Sequence, residues 1–337
     1  MIKSAFENNS ERIVSSSKTQ MDKAASNTLR PKKLSEYVGQ ESIKKHLSVS
    51  ISSAKIRGES IEHILFYGPP GLGKTTLSNI IASEMGTSLK SSSGPAIEKQ
   101  SDLVSILSNL EKGDILFIDE IHRLRPQVEE ILYTAMEDNE IDIMVGSGTG
   151  AQSVKLPLQD FTLVGATTKL SSLSSPLRDR FGNILKLDFY DINNLVLIAK
   201  RSAELLDLNI DKGVLQNIAS RSRGTPRIVN RLLKVIRDYN TIGENISDEK
   251  VLNEIFKSIG IDELGLDLLD RKILEKMYYN FSGNPVGLNT LSASVGEEES
   301  TIEDVVEPYL LQIGFIERTP RGRKITISGE KHILKTI

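Results

Sequence analysis

The sequence predicts an α/β fold with a parallel sheet, followed by a small helical block and a C-terminal domain that ends in a β-ribbon. From Leu29 to about Asp188, apolar β-like runs alternate with helical patterns, an order typical of βαβ units. One apolar run, 64–67, leads into the phosphate-loop pattern GPPGLGKT at 68–75, and a helical pattern leaves it. The strand, loop and helix together predict a site for a nucleoside triphosphate.

The phosphate loop carries the groups that such a ligand requires. Gly71 and Gly73 belong to a loop whose glycines let backbone N–H groups turn toward a phosphate, and the following helix adds partial positive charge. Lys74 can reach the β- and γ-phosphates, and the Thr75 hydroxyl can ligate Mg²⁺. Thr76 is a further nucleotide-binding candidate. We therefore predict ATP and Mg²⁺ as the ligands of this loop.

Two carboxylates follow a second apolar run, 115–118. Open α/β sheets bind ligands at the carboxyl ends of their strands, which is where Asp119 and Glu120 are expected. Asp119 can hold Mg²⁺ through its water shell, and Glu120 can orient and deprotonate the water that attacks the γ-phosphate. A third apolar run ends in Thr167 and Thr168, whose hydroxyls could sense the γ-phosphate, and Thr168 is taken as a catalytic candidate.

Two arginines are candidates because of their positions. Arg180 closes a short segment in which Pro176 suits the first turn of a helix, and Arg227 follows Pro226 at the start of a later helix. From the residues alone, a solvated position on a helix face is the favoured interpretation of both arginines.

The composition excludes several classes of protein. The chain has 337 residues, of which 39% are apolar and 26% charged, and no run is long and apolar enough to predict a membrane span. It has no cysteine, which excludes disulfides and thiolate metal sites and favours a reducing compartment, with the cytoplasm as the default. The net charge is only −3, so any nucleic-acid contact must come from local patches.

Four segments are predicted. They are a polar tail at 1–28, a large nucleotide-binding domain at 29–190, a small helical domain at 191–261, and a winged-helix domain at 262–337. In the last domain, short β-like runs at 314–316 and 324–327 are joined by a turn at 319–322. From Gln312 onward, six Lys or Arg residues stand against two Glu residues, which suits a wing lying along a phosphate backbone. A solvated basic turn is the alternative.

The order of several motifs resembles that of the AAA+ ATPases. These motifs are GPPGLGKT, ILFIDEIHRL, FTLVGATT, SPLRDRFG and GTPRIVNRLL. The segment 301–310, TIEDVVEPYL, and the segment 318–323, RTPRGR, are similar to the RuvB family within that group, the bacterial Holliday-junction branch-migration motors. The resemblance covers the chain from about residue 29 to its C-terminus.

The resemblance implies a homohexameric ring around duplex DNA at four-way junctions. It implies that Arg180 is an arginine finger offered to the neighbouring subunit, and that Arg227 is the sensor arginine of the same subunit's lid. It also assigns positions on the adenine and ribose side of the nucleotide: Leu29, Arg30, Glu137, Asp138, Asn139 and Tyr190. Family DNA contacts match Arg318 and Arg323. The chain departs from the family pattern at Asn139, often Tyr in relatives, and at Glu299, which is basic in some of them.

The segment 141–156 alternates like a β-hairpin around a loop at 146–152. From the residues alone, a hairpin of the internal sheet is the favoured interpretation. In the resembled family, this hairpin docks onto the junction-recognition partner RuvA, and a RuvC-like resolvase is a further candidate partner.

Three other functions stay open. Residues 119–122, DEIH, also fit the box of two-lobed helicases, but that class needs a second sheet domain. A AAA+ loader or initiator would share the nucleotide chemistry and would carry a collar domain where this sequence predicts a wing. A non-enzymatic binding module would leave Glu120 unexplained.

Overall fold

The computed structural model describes residues 29–145 and 152–336. Its backbone contacts separate two compact units. Unit 2 comprises Arg30–Gly68 and Leu72–Asp188, whereas Leu29, Pro69–Gly71 and the chain from Phe189 onward belong to unit 1. The predicted polar tail, 1–28, lies outside the described residues.

Unit 2 is built from alternating strands and helices, as the sequence predicts. Its described strands are β1 (Ile64–Tyr67), β2 (Leu89–Ser93), β3 (Ile115–Asp119), β4 (Glu140–Val145), β5 (Gln152–Pro157), β6 (Thr162–Thr167) and β7 (Asn183–Lys186). Its described α-helices are α1 (Glu41–Arg57), α2 (Lys74–Met85), α3 (Gln100–Ser108), α4 (Pro126–Glu137) and the short α5 (Ser175–Arg178).

Five of these strands form one parallel sheet in the order β2-β3-β6-β1-β7. The three central strands are almost wholly apolar and buried, because helices cover both faces of a parallel sheet. The residues of the edge strands β2 and β7 are exposed or half-buried. The order places β6 between β1 and β3, so the carboxyl ends of these three strands are neighbours.

Strands β4 and β5 pair antiparallel in a two-stranded sheet of their own. The interpretation of this segment as a hairpin of the internal sheet is therefore wrong. Ile141, near the base of the hairpin, is completely buried, whereas Val154 opposite Ile143 is 45% exposed. The residues of the hairpin tip, 146–151, lie outside the described part of the chain.

The helical block of unit 1 contains α6 (Ile192–Leu205), α7 (Lys212–Ser220), α8 (Pro226–Thr241) and α9 (Glu249–Ser258). Aspartates cap three of these helices by accepting backbone N–H groups of the first turn. Helix α8 instead starts at Pro226 with no side-chain cap from Thr225.

The C-terminal part of unit 1 surrounds a separate apolar core. It contains α10 (Leu268–Glu275), a π-turn (Lys276–Asn280), α11 (Leu288–Val295), α12 (Glu299–Thr301), a second π-turn (Ile302–Val306), α13 (Glu307–Gln312), β8 (Ile316–Thr319), β9 (Gly322–Ile325) and α14 (Ile327–Thr336).

The predicted β-ribbon exists, but its strands lie closer to the turn than predicted. Thr319 pairs with Gly322, so only Pro320 and Arg321 remain in the turn. Ile327, predicted as the end of a strand, is the first residue of α14. The prediction followed the apolar residues, whereas pairing across the tight turn sets the strands, with Gly322 at φ 128°.

In the part of the chain that the structure describes, no helix combines the length and apolarity needed to cross a membrane.

Candidate nucleotide-binding and DNA-binding sites

The phosphate loop takes backbone conformations that require glycine. Gly68, Gly71 and Gly73 have φ values of 140°, 86° and 104°. A Cβ on Gly73 would lie 2.6 Å from the Tyr37 hydroxyl, which itself donates to the carbonyl of Leu72 at 3.2 Å. These constraints are typical of a backbone that must approach a ligand closely.

Lys74 is the first residue of α2 and is only 8% exposed. Its Nζ donates to the carbonyl oxygen of Gly68 at 2.7 Å, so the ammonium group is held against the loop. Thr75 and Thr76 follow in the first turn and are half-buried. The loop, the lysine and the helix N-terminus thus have the arrangement predicted for binding phosphates.

The two predicted carboxylates stand at the carboxyl end of β3. Asp119 is the last residue of the strand, and its Oδ1 accepts the backbone N–H of Glu120 at 3.1 Å. Glu120 has a φ of 50°, a left-handed conformation that non-glycine residues rarely adopt and that is common at functional sites. Its carboxylate accepts from Arg123 at 2.9 Å and is 48% exposed, so it faces solvent.

Arg30, a nucleotide-side candidate, has a shifted pKa. Burial lowers the pKa of its guanidinium, and the negative charge of Asp119 partly opposes this shift.

Two adjacent threonines at the end of β6 differ in their exposure to solvent. Thr168, the catalytic candidate, is exposed, whereas Thr167 is 1% exposed. The Thr167 hydroxyl is hydrogen-bonded to Nδ1 of His122 at 3.0 Å and accepts the backbone N–H of Lys169 at 2.9 Å. Sequence reasoning missed this link, although His122 stands only two residues after Glu120. The link ties the segment after β3 to the end of β6.

The phosphate loop, the carboxylates and Thr168 therefore lie along one edge of the sheet, because they follow the neighbouring strands β1, β3 and β6. The Mg²⁺ candidates, Thr75 and Asp119, offer a hydroxyl and a carboxylate oxygen, which are ligand types that Mg²⁺ prefers. Among the described residues no cluster of three acidic or histidine ligands occurs.

Arg180 lies at the opposite edge of the sheet. It precedes the amino end of β7, and its guanidinium donates to Glu137 at 2.7 Å and to the carbonyls of Tyr133 and Pro176 at 3.2 and 2.8 Å. Asn139 donates to Asp160, just before β6, at 3.0 Å. Strands rise about 3.3 Å per residue, so the length of a strand separates this group from the phosphate loop.

A buried carboxylate, that of Glu129, holds the aromatic side chain against which Arg180 packs. The guanidinium stacks on the Tyr133 ring at 4.8 Å. Glu129, 8% exposed, accepts from the Tyr133 hydroxyl at 2.9 Å and from the hydroxyl of Ser174. Ser174 also caps α5, the short helix that leads to Arg180. Sequence periodicity could not identify this group, since its members come from two separate helices.

Asn139 takes a backbone conformation that asparagine tolerates. Its φ is 52°, and asparagine tolerates the left-handed conformation better than most residues. Asp138 is the C-cap residue of α4, between Asn139 and the arginine-paired Glu137.

The remaining nucleotide-side candidates belong to unit 1. Arg227 is the second residue of α8, and its backbone N–H lies 3.4 Å from the carbonyl of Gly71. Tyr190 is 6% exposed and donates its backbone N–H to Gly224 at 2.9 Å. Leu29 is 3% exposed, and its carbonyl accepts from Arg201 at 2.7 Å.

Both DNA-contact candidates are attached to one carboxylate. Arg318 and Arg323 face each other across the β8–β9 ribbon. Each donates from Nε and Nη2 to Glu307, at 2.9, 2.9, 3.0 and 3.1 Å. Arg321, at the tip of the turn, is exposed. Glu299, the other departure from the family pattern, accepts from Asn289 at 3.0 Å.

Comparisons with known proteins match this architecture. Three family models cover nearly all described residues: the Holliday junction DNA helicase RuvB P-loop domain at residues 29–187, the RuvB AAA lid domain at 190–262, and the RuvB C-terminal winged helix domain at 263–334. The Holliday junction branch migration complex subunit RuvB of Dehalococcoides mccartyi (strain CBDB1) is 52% identical over 324 residues, which is 96% of this chain and 93% of that protein.

Comparison with solved structures gives the same family. The Thermotoga maritima RuvB Holliday junction branch migration motor is 49% identical, with a TM-score of 0.83 over 91% of this chain and 98% of that one. A point mutant of the Thermotoga maritima protein is 50% identical, with a TM-score of 0.84 over the same shares. The predicted fold class, a P-loop parallel sheet with a helical lid domain and a winged helix, is confirmed. The chain belongs to the RuvB family of AAA+ P-loop proteins.

Proposed function

We propose that this chain hydrolyses ATP at sites shared between subunits of a homohexamer and uses the energy to move duplex DNA at four-way junctions. The observation that carries the proposal is the placement of two groups in unit 2. The phosphate loop and Glu120 lie at the carboxyl edge of the sheet, and Arg180 lies at the amino edge. The length of a strand separates them within one copy, which supports a site that a second copy completes.

Within one subunit, Lys74 contacts the β- and γ-phosphates, and Gly71, Gly73 and Thr76 line the same phosphate chain. Thr75 and Asp119 would hold Mg²⁺, which neutralises charge on the phosphates when bound. Glu120 orients and deprotonates the attacking water, and Thr168 contacts the γ-phosphate or that water. Leu29, Arg30 and Tyr190 contact the base and ribose.

From the neighbouring subunit, Arg180 stabilises the charge that develops on the γ-phosphate oxygens. Glu137, Asp138 and Asn139 accompany it at the same edge, which favours their contacting the neighbour's nucleotide as well. Arg227 lies in the lid and interacts with the phosphates of the nucleotide. Loss of a phosphate therefore changes the position of the lid and of the winged-helix domain.

The domain boundaries proposed for this motor are 29–190 for the ATPase domain, 191–261 for the lid and 262–337 for the winged helix. Arg318 and Arg323 contact the phosphate backbone, which makes binding independent of sequence. The hairpin 141–156 docks onto a RuvA-like junction-binding protein, a RuvC-like resolvase is a further partner, and the cytoplasm is the proposed location.

No observation favours a rival function. A loader would carry a collar in place of the β8–β9 ribbon. A two-lobed helicase needs a second sheet domain, whereas the described part of unit 1 holds only the two strands of that ribbon.

A mixing experiment tests the shared site. Glu120→Gln and Arg180→Ala subunits should each bind ATP without hydrolysing it. Mixed rings should regain ATPase activity, because some interfaces pair an intact Glu120 with an intact Arg180. If Arg180 acted within its own subunit, mixing would restore nothing. In the active mixture and the unmutated protein, ATP-dependent migration of a four-way junction, with and without a junction-binding partner, tests the motor itself.

A further inference from the structure

Glu307 is the first residue of α13 and is 1% exposed, although it is ionisable and lies beside the DNA-facing ribbon. Its two oxygens accept four hydrogen bonds, two from Arg318 and two from Arg323. Planar guanidinium groups paired with a carboxylate in this two-bond manner are fixed in both distance and orientation.

The ionised form of Glu307 is the stable one. Burial by itself would raise the pKa of this carboxyl, but the hydrogen bonds and charges of Arg318 and Arg323 outweigh burial and lower it. The carboxylate therefore keeps its four hydrogen bonds at neutral pH.

Backbone hydrogen bonds hold the β8–β9 ribbon in place at Arg323. Val286 and Arg323 exchange two backbone hydrogen bonds, both at 2.8 Å. A guanidinium has five N–H donors, and each arginine gives Glu307 one from Nε and one from Nη2. Three N–H groups of each arginine therefore point away from Glu307, and Arg318 is 55% exposed.

We propose that Glu307 is a positioning residue for DNA binding, which orders Arg318 and Arg323 so that their outer N–H groups meet the phosphate backbone. The proposal rests on the DNA-binding role proposed for the two arginines. Long arginine side chains lose conformational freedom on binding, and a partner that orders them beforehand reduces this loss. Glu307 thus favours DNA binding although its charge repels phosphates.

The opposite interpretation is that Glu307 competes with DNA for the arginines. The two interpretations predict changes of opposite sign. If Glu307 competes, removing its charge strengthens DNA binding. If Glu307 positions the arginines, removing its charge weakens DNA binding even though a repulsive charge is lost.

Glu303 provides a matched control. Its carboxylate lies 3.9 Å from Arg318 and 3.6 Å from Arg323, beyond hydrogen-bond distance, and is 37% exposed. Glu303→Gln removes the same charge as Glu307→Gln but leaves the four hydrogen bonds in place.

The experiment is a titration of a fluorescent duplex with the full-length variants at several salt concentrations. Glu307→Gln should weaken binding by about tenfold, whereas Glu303→Gln should leave it unchanged or strengthen it. Binding by Glu307→Gln that is equal to or tighter than that of Glu303→Gln overturns the proposal.

A double-mutant cycle separates positioning from a general loss of folding. In a background with Arg318→Ala and Arg323→Ala, Glu307→Gln should have no further effect on the residual DNA binding, because its targets are gone. An additional loss of the same size in that background would make Glu307 a purely structural residue and overturn the proposal. If the two arginine changes alone do not weaken binding, the DNA-binding role proposed for these residues fails instead.

Discussion

Arg223 and Asp270 form a buried ion pair within unit 1. The guanidinium donates two hydrogen bonds to the carboxylate, at 3.1 and 3.2 Å, and the two side chains are only 4% and 0% exposed. Arg223 precedes α8, which carries Arg227, and also lies 4.7 Å from the Tyr309 ring. Asp270 lies in α10 and accepts the backbone N–H of Asp267 at 2.8 Å. The pair joins the segment before Arg227 to the C-terminal core.

Breaking this pair should destabilise unit 1 strongly. Asp270→Asn leaves the Arg223 charge buried without a counter-charge, which typically costs about 3–5 kcal/mol. The free energy of unfolding, measured by denaturant titration, should fall accordingly. Arg237→Ala is the control, because its pair with Asp238 is exposed and should contribute less than about 1 kcal/mol. Equal effects of the two variants would contradict a structural role for the buried pair.

The same pair offers a test of coupling. We expect Arg223→Met combined with Asp270→Leu to restore much of the stability that Asp270→Asn loses. Replacing both members of a buried ion pair by apolar residues often costs little stability. DNA should nevertheless stimulate ATP hydrolysis less in this double variant than in the unmutated protein. Full stimulation of ATP hydrolysis by DNA in a stable double variant would show that the ion pair does not couple DNA binding to hydrolysis.

The Tyr133 ring should determine how well Arg180 is placed. Tyr133→Leu removes the stacked ring, so kcat for ATP hydrolysis should fall by about tenfold or more while nucleotide affinity stays the same. Tyr133→Phe keeps the ring and loses only the hydrogen bonds of the hydroxyl to Glu129 and Ser174, so its effect should be smaller. Steady-state kinetics with a separate nucleotide titration check this. A higher KM with unchanged kcat in Tyr133→Leu would contradict the positioning of Arg180.

Gly73→Ala should abolish tight nucleotide binding. The added Cβ would lie 2.6 Å from the Tyr37 hydroxyl, at a φ of 104° that alanine adopts only under strain. The phosphate loop must therefore move. Gly86→Ala is the matched control, since Gly86 also has a positive φ but has no atom within 4 Å of its Cβ position. A fluorescent-nucleotide titration should show normal affinity for the control. Normal affinity in Gly73→Ala as well would refute the argument from loop geometry.

The β4–β5 hairpin should bind a partner without contributing to catalysis. Ile143 and Val154 face each other across its strands, and replacing both by Asp should abolish binding of a RuvA-like protein while basal ATP hydrolysis stays unchanged. Size-exclusion chromatography with the partner and an ATPase assay measure the two properties. Ile141→Asp, at a completely buried position, should instead reduce stability. Loss of ATPase activity in the Ile143/Val154 variant would mean that the hairpin belongs to the core. The family resemblance predicts the same result for Ile143→Asp combined with Val145→Asp.

Much of the fold could be predicted because the relevant patterns are local. The strand at 64–67, the loop that follows it and the carboxylates after 115–118 are each coded by a few consecutive residues. The two strands of the wing were predicted, but at positions farther from the turn than in the structure. Apolar residues alone do not determine how two strands pair across a turn.

The sequence by itself determined the ligand class, because glycine, lysine and threonine must be contiguous to surround a phosphate. Only the tertiary structure decided which side chains act together. It placed Arg180 at the opposite edge of the sheet from Glu120, because strand order and direction depend on long-range pairing. It also brought Glu307 under two arginines of the ribbon. Such relationships depend on burial and on contacts between distant segments, which no local pattern encodes.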